Sequence, residues 1–175
     1  MNNFDKNWRN AKKNIFRLEG RVEYRLSGEQ EDIAKWKQND TDSGKNKEWR
    51  GWQASLKKAS QKGVVVQRVR VAPKTLPDYI KFEISRWRKN PDKNGEQVLF
   101  LNENDYREII AAYGFDPKDF WLFDDQNLLI FNYDKAGKFS GDILITNGGM
   151  VKRYCELKSK LLEKSMPMES FLKKI

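Results

Sequence analysis

Apolar residues recur along the chain in two periods, and the change between them predicts a series of helices and strands. Spacings of three and four residues are typical of a helix with one apolar face, and alternation is typical of a half-buried strand. The first pattern predicts helices over residues 2–13, 47–61, 78–89 and 149–164. The second, together with short apolar runs, predicts strands over residues 21–26, 64–71, 97–101 and 139–145.

Two aromatic runs near residue 125 predict the centre of the fold. DFWLFDD at residues 119–125 is followed by LLIFNYD at 128–134, and polar residues 124–127 between them have the composition of a tight hairpin turn. Helices alternate with strands before this hairpin, and a further strand follows it. This order predicts the α/β class, with a single mixed sheet, helices on its faces and a C-terminal antiparallel meander.

The chain is predicted to form one domain over residues 1–175, with two less regular segments. Residues 38–47 contain no apolar side chain and are predicted to be a mobile loop. Residues 165–175 follow the last long helix and are expected to form either a frayed tail or a short terminal helix.

Composition excludes several kinds of chemistry. The 175 residues contain no histidine and a single cysteine, Cys155, so Ser-His-Asp and Cys-His arrangements and common zinc sites are excluded. No phosphate-binding glycine motif occurs, and no cofactor is predicted. No apolar run approaches the roughly 18–20 residues that span a bilayer, so we expect a cytoplasmic protein without membrane contact.

The net charge of +9 is unevenly distributed. Residues 61–95 carry 9 basic and 3 acidic groups, whereas residues 96–142 carry 4 basic and 10 acidic groups. A basic protein with an acidic block favours association with a polyanion or with a protein of complementary charge. The same composition also follows from solubility alone.

The helix predicted at residues 78–89 has a carboxylate on its apolar side. Ile80, Ile84 and Trp87 form the inward stripe, and Glu83 lies within the same arc. Burying an unpaired carboxylate costs several kcal/mol. We therefore predict that Glu83 pairs with one of two arginines on the preceding strand, Arg68 or Arg70. A structural ion pair is preferred over a catalytic role.

The same region contains a basic segment with aromatic residues interleaved, which suits phosphate contact and base stacking. Nucleic-acid binding without sequence preference is therefore one alternative. Its candidate residues are Arg68, Arg70, Lys74, Lys81, Arg86, Arg88 and Lys89.

Carboxylates around the predicted hairpin are the remaining candidates for catalysis. Asp124, Asp125 and Asp134 could coordinate Mg²⁺, which needs only one or two carboxylates besides water and phosphate. This arrangement would suit a nuclease. The preferred interpretation is that these side chains form turn hydrogen bonds, so no metal site is predicted.

Several segments resemble a bacterial family of unknown function that is often encoded near helix-turn-helix regulators. They are RVRVAPKTLPDYIKFE at residues 68–83, the DFWLFD box within 119–125, FRLE at 16–19, and Tyr133-Asp134 followed by Gly137 and Gly141. The resemblance covers most of the chain. It implies a phospholipase-D-like half-domain and a protein partner such as a helix-turn-helix regulator. The histidine of phospholipase D catalysis is missing.

By elimination, the leading hypothesis is a non-catalytic regulatory or protein-interaction module with a phospholipase-D-like fold. The alternative is a nucleic-acid-binding protein that uses residues 68–89, and a Mg²⁺-dependent nuclease ranks third. Convergence of the carboxylates would favour the nuclease, and an outward row of arginines would favour nucleic-acid binding.

Overall fold

A computed structural model describes residues 2–25, 29–39, 46–89, 95–114 and 118–175. The helices in these ranges are α1 Asn3–Asn10, α2 Glu29–Lys37, α3 Lys47–Gln61, α4 Asp78–Lys89, α5 Glu103–Tyr113, α6 Gly148–Lys164 and α7 Met168–Leu172. The strands are β1 Asn14–Glu19, β2 Val65–Ala72, β3 Glu96–Asn102, β4 Phe120–Phe123, β5 Asn127–Tyr133, β6 Phe139–Ile145 and β7 Met166–Pro167.

The strands form one mixed sheet in the order β6-β5-β4-β1-β2-β3-β7. Strands β1, β2 and β3 are parallel neighbours, because the helices between them carry the chain back before each next strand begins. Strands β4, β5 and β6 form an antiparallel meander, and β4 pairs with β1. The prediction of an α/β fold with one mixed sheet and a C-terminal meander is confirmed.

One face of the sheet is apolar and is covered by α5 and α6. Successive side chains of a strand point to opposite faces, so alternate residues such as Phe16, Leu18 and Val69 gather on this side. Leu157 and Leu161 of α6 pack against them and are fully buried. Burial of each such side chain contributes about 1.5–3 kcal/mol, which makes this layer a main support of the sheet.

The opposite face carries two apolar clusters with charged residues between them. In the first cluster, α1 and α3 pack on the beginning of the parallel strands, as in the contact of Leu56 with Ile15. In the second cluster, α4 and α7 pack near the end of β2, where Ile80 lies with Ala72. Between the clusters, β1 and β2 carry arginine and glutamate in place of apolar residues.

The prediction of a strand over residues 21–26 is wrong for its described part, which is irregular. The backbone carbonyls of Glu19, Arg21 and Val22 accept hydrogen bonds from the guanidinium of Arg70. These contacts hold residues 21 and 22 over the buried guanidinium, outside the strand ladder. The alternation of apolar and polar residues in this segment therefore does not indicate a strand, and the segment is fixed by Arg70 instead.

The predicted hairpin is present, and its turn is tight. Asp124 and Asp125 have φ values of 53° and 56°, and Gln126 N donates to Phe123 O at 3.0 Å. Positive φ at both central residues is typical of a type I′ turn, which aspartate tolerates better than most residues. The Asp124 carboxylate accepts the backbone N–H groups of residues 12–14 at 2.7–3.2 Å. Residues 12–14 are thus bound to the hairpin turn and are not part of α1, which ends at Asn10, earlier than predicted.

Two predicted irregular segments have different outcomes. Within the loop predicted at residues 38–47, residues 40–45 lie outside the described residues. In the tail at 165–175, β7 pairs with β3, and α7 follows with Phe171 buried. No helix in the described part of the chain is long and apolar enough to cross a membrane.

Candidate ligand-binding pocket

A cavity of about 300 Å³ lies between α3, α4 and the charged part of the sheet. Seven aromatic side chains line it, namely Phe4, Trp49, Trp52, Tyr79, Trp87, Trp121 and Phe131. The remaining wall consists of Asn46, Arg17, Glu19, Glu29, Glu48, Arg68, Glu83 and Arg86. The cavity therefore combines large apolar surfaces with charged side chains of both signs.

The aromatic wall is organised around Trp121 of β4. Its ring meets the rings of Phe4 and Trp52 edge-on, with centroid distances of 5.0 and 5.9 Å. Trp8 packs behind Trp52 at 4.8 Å. Edge-to-face contacts at these distances stabilise aromatic pairs beyond the burial of their area. Three elements, α1, α3 and β4, thereby fix one side of the cavity.

The floor of the pocket is formed by two neighbouring parallel strands. Arg17 of β1 lies beside Arg68 of β2 in the strand register, and Glu19 lies beside Arg70. Glu19 binds two of these arginines, with Arg17 Nη2 at 2.5 Å and Arg68 Nη1 at 2.9 Å. Burial alone would raise the pKa of Glu19, but the three arginines outweigh it and lower this pKa to about 2.

Arg68 is only 4% exposed, and each of its three nitrogens has a carboxylate partner. Nε and Nη2 donate to Glu96 on β3 at 2.9 and 3.2 Å, and Nη1 donates to Glu19 at 2.9 Å. A planar guanidinium with two opposed carboxylates is held in one orientation. Arg68 thus connects β1, β2 and β3 through side chains as well as through the ladder.

Glu83 is paired with Arg70, one of its two predicted partners. Arg70 is fully buried, and its Nε donates to Glu83 Oε2 at 2.9 Å. Burial raises the pKa of Glu83 to about 7, because Arg70 compensates it only in part and the charge of Glu19 adds to the rise. A buried carboxyl that titrates near neutral pH lines the cavity.

A second ion pair forms the side of the cavity next to α3. Arg86 Nη1 lies 2.6 Å from Glu29 Oε1, and the other oxygen of Glu29 accepts from the Tyr79 hydroxyl at 2.8 Å. The Arg86 guanidinium also lies over the ring of Trp49, 3.9 Å from its centroid. Stacking and ion pairing together keep this arginine in the wall.

A family model described as a domain of unknown function (DUF6879) matches residues 2–173. The chain belongs to this family. A comparison with curated proteins gave no match. Membership of DUF6879 thus covers the whole pocket without assigning it an activity.

The basic segment of this DUF6879 domain does not form the predicted outward row. Arg68, Arg70 and Arg86 are buried and paired with carboxylates, because the strand and helix periods turn them towards the interior. Burial and ion pairing leave these three arginines no exposed face for a phosphate, which argues against the alternative of nucleic-acid contact through them. The exposed members of the segment are Lys74, Lys81, Arg88 and Lys89.

The candidate metal ligands do not converge either. Asp124 binds the backbone of residues 12–14, Asp125 pairs with Lys158 at 2.8 Å, and Asp134 accepts from the backbone N–H groups of its own turn. Among the described residues, no group of three or more His, Cys, Asp or Glu could hold a metal ion. The interpretation as turn hydrogen bonds fits Asp134, whereas Asp124 and Asp125 bind distant parts of the chain instead.

Sequence reasoning missed Arg17, Glu19 and Glu29 as pocket residues. A signal was present for the first two, because charges occupy alternate positions in β1 just as they do at Arg68 and Arg70 in β2. Two parallel strands with this pattern on one face predict a shared charged patch. Glu29 gave no comparable signal, since its partner Arg86 is 57 residues away.

We expect Glu83→Ala to lower the free energy of unfolding by about 3–5 kcal/mol, because Arg70 would stay buried without its carboxylate. Urea unfolding followed by tryptophan fluorescence measures the change. Lys81→Ala on the same helix is the control, since Lys81 is exposed, and its effect should stay within about 0.5 kcal/mol. Equal stability of Glu83→Ala and the parent would contradict the buried pair.

The raised pKa of Glu83 also predicts a pH dependence that Glu83→Gln removes. Between pH 4.5, the ordinary value, and about 7, the folded parent retains a proton that the unfolded chain has lost. Its stability relative to the variant should therefore fall as pH rises through this window, by up to about 1.4 kcal/mol per pH unit. Urea unfolding of both proteins at a series of pH values gives the difference. A constant difference would show that the pKa is not raised.

Proposed function

We propose that the protein is a non-catalytic regulatory module that binds a small organic molecule in the aromatic pocket. The observation that carries this proposal is the cavity of about 300 Å³ with seven aromatic side chains in its wall. Ligand sites in proteins are typically concave and mostly apolar, with a few fixed polar groups, and this volume lies at the small end of their range. A compact planar molecule suits it best.

The charged residues of the wall are arranged for binding rather than for covalent chemistry. Glu19, Glu29 and Glu83 are each held by an arginine, so the polar groups are fixed before a ligand enters. Such preorganisation reduces the entropy that binding must overcome. Among the described residues that line the cavity there is no serine, threonine, cysteine or lysine, and three of its carboxylates, which can also act as nucleophiles, are engaged by arginines.

The phospholipase-D-like half-domain is proposed as the fold family of this module. The resemblance at residues 68–83 and 119–125 supports it, together with the mixed sheet of seven strands. The histidine that phospholipase D uses as its nucleophile does not occur in these 175 residues. A pocket for binding, in a fold without its catalytic group, is consistent with a regulatory role.

Obstruction of the pocket entrance tests the proposed function. Glu48 lines the cavity and is exposed, whereas its neighbour Lys47 is exposed without lining it. A fragment library of planar compounds should contain ligands that raise the Tm of the parent protein. Glu48→Trp should weaken their binding at least about tenfold by occupying the entrance, and Lys47→Trp should leave it unchanged.

Calorimetric titration of each hit against the three proteins gives the affinities. The proposal fails if no compound gives a saturable heat with the parent. It also fails if every hit binds Glu48→Trp as tightly as it binds the parent.

Strand β6 favours a second function, the recruitment of a protein that adds a strand to the sheet. It is the edge strand of the meander, and it exposes Phe139 by 42%, Ile143 by 51% and Leu144 by 37%. Edge strands in monomers are usually protected by charge or by a cover. An exposed apolar edge suits the addition of an extended segment from a partner.

Photo-crosslinking in the producing cell tests this recruitment. A benzophenone amino acid at Ile143 should give a discrete adduct with another protein, because the partner strand would lie within reach. The same group at Lys152, which is exposed on α6, is the control and should give no such adduct. An adduct with a second copy of the chain, or identical products at both positions, would contradict recruitment through β6.

A further inference from the structure

Two N–H groups in the pocket wall have no hydrogen-bond partner. Trp52 Nε1 and Arg86 Nε are buried and lack an acceptor among the described residues. Both side chains line the cavity. A buried donor without an acceptor destabilises the free protein, and an acceptor from a ligand would relieve this. Both of these groups are donors, which sets the kind of ligand atom they can bind.

The buried part of the wall disfavours a cationic ligand, and the remaining lining carboxylate, Glu48, is exposed at the surface. The buried carboxylates are already bound by arginines, as found for Glu19, Glu29 and Glu83. The aromatic faces also have cations next to them: guanidinium groups lie over the rings of Trp49, Trp87 and Trp121 at 3.9–5.6 Å. A second cation would meet like charge at each of these rings.

From these contacts we infer that the ligand is a planar molecule that presents oxygen acceptors to Trp52 and Arg86. The inference rests on the proposed ligand-binding function and specifies its chemistry. The aromatic walls bury the ring, and a carboxylate or carbonyl oxygen at its edge accepts from one or both of these donors. A ligand of this kind gains hydrogen bonds that water does not provide in the free protein.

Three naphthalene derivatives with the same ring and different head groups test the inference. Naphthoate carries a carboxylate, naphthamide a neutral carbonyl, and naphthylmethylammonium a cation without an acceptor. Calorimetric titration of the parent protein should give Kd values about tenfold lower for at least one of the oxygen-bearing probes than for the ammonium. Comparison of naphthoate with naphthamide then shows whether a carboxylate or a carbonyl is preferred.

Trp52→Phe separates the donor from the aromatic wall. The variant retains a ring but lacks the N–H group, so it should lose about fivefold to tenfold in affinity for the preferred oxygen-bearing probe. Its affinity for the ammonium should change much less. Trp87→Phe is the matched control, because it removes a similar ring area from the wall without removing an unpaired donor. Trp87→Phe should weaken the binding of all three probes equally.

The outcomes distinguish this inference from the function on which it rests. Equal affinities for the three probes, or tightest binding of the ammonium, would overturn the oxygen-acceptor inference. Equal losses for Trp52→Phe with every probe would overturn it as well. Absence of binding by all three probes, alongside fragment hits that Glu48→Trp abolishes, would overturn the inference and leave the pocket as a ligand site. Absence of binding by the three probes and by every fragment would overturn the oxygen-acceptor inference and the proposed ligand-binding function together.

Discussion

The burial of Arg68 and Arg70 in the middle of the sheet is the constraint on which the other features depend. A guanidinium removed from water needs carboxylate or carbonyl partners. Neighbouring strands supply Glu19 and Glu96, and α4 supplies Glu83. The irregular segment after β1 is held in place because its carbonyls accept hydrogen bonds from Arg70. Helices α3 and α4 pack on the apolar clusters to either side, and the space above the charged strands remains as the cavity.

Two glutamates in this network respond to it in opposite directions. Glu19 lies among three arginines, which keep its pKa near 2. Glu83 has Arg70 as its ion-pair partner, and the same guanidinium also serves backbone carbonyls. Burial then dominates and raises its pKa to about 7. The number of arginines around a carboxylate, rather than its depth alone, decides its protonation.

The periodicity of the sequence was sufficient for the sheet and for the ion pair of Glu83, because both follow from which residues share a face. It was insufficient where a contact depends on the register between distant elements. Arginine is a residue type that commonly binds phosphate, yet Glu29 and Trp49 hold Arg86 in the wall of the cavity. Asp124 resembles a metal ligand, yet its acceptor capacity is used by residues 12–14. Such partners are far away in the chain and leave no local pattern.

The anchoring of α1 by Asp124 has a consequence for the order in which the pocket forms during synthesis. Phe4 is synthesised well before the hairpin, and the carboxylate that ties residues 12–14 to the hairpin is 112 residues from Lys12. Trp121 and Phe131, which complete the same wall, emerge equally late. Contacts between residues so far apart in sequence form slowly. A nascent chain that ends before the hairpin contains Phe4 but lacks Trp121, against which Phe4 packs. The cavity can therefore be complete only after the hairpin has been synthesised.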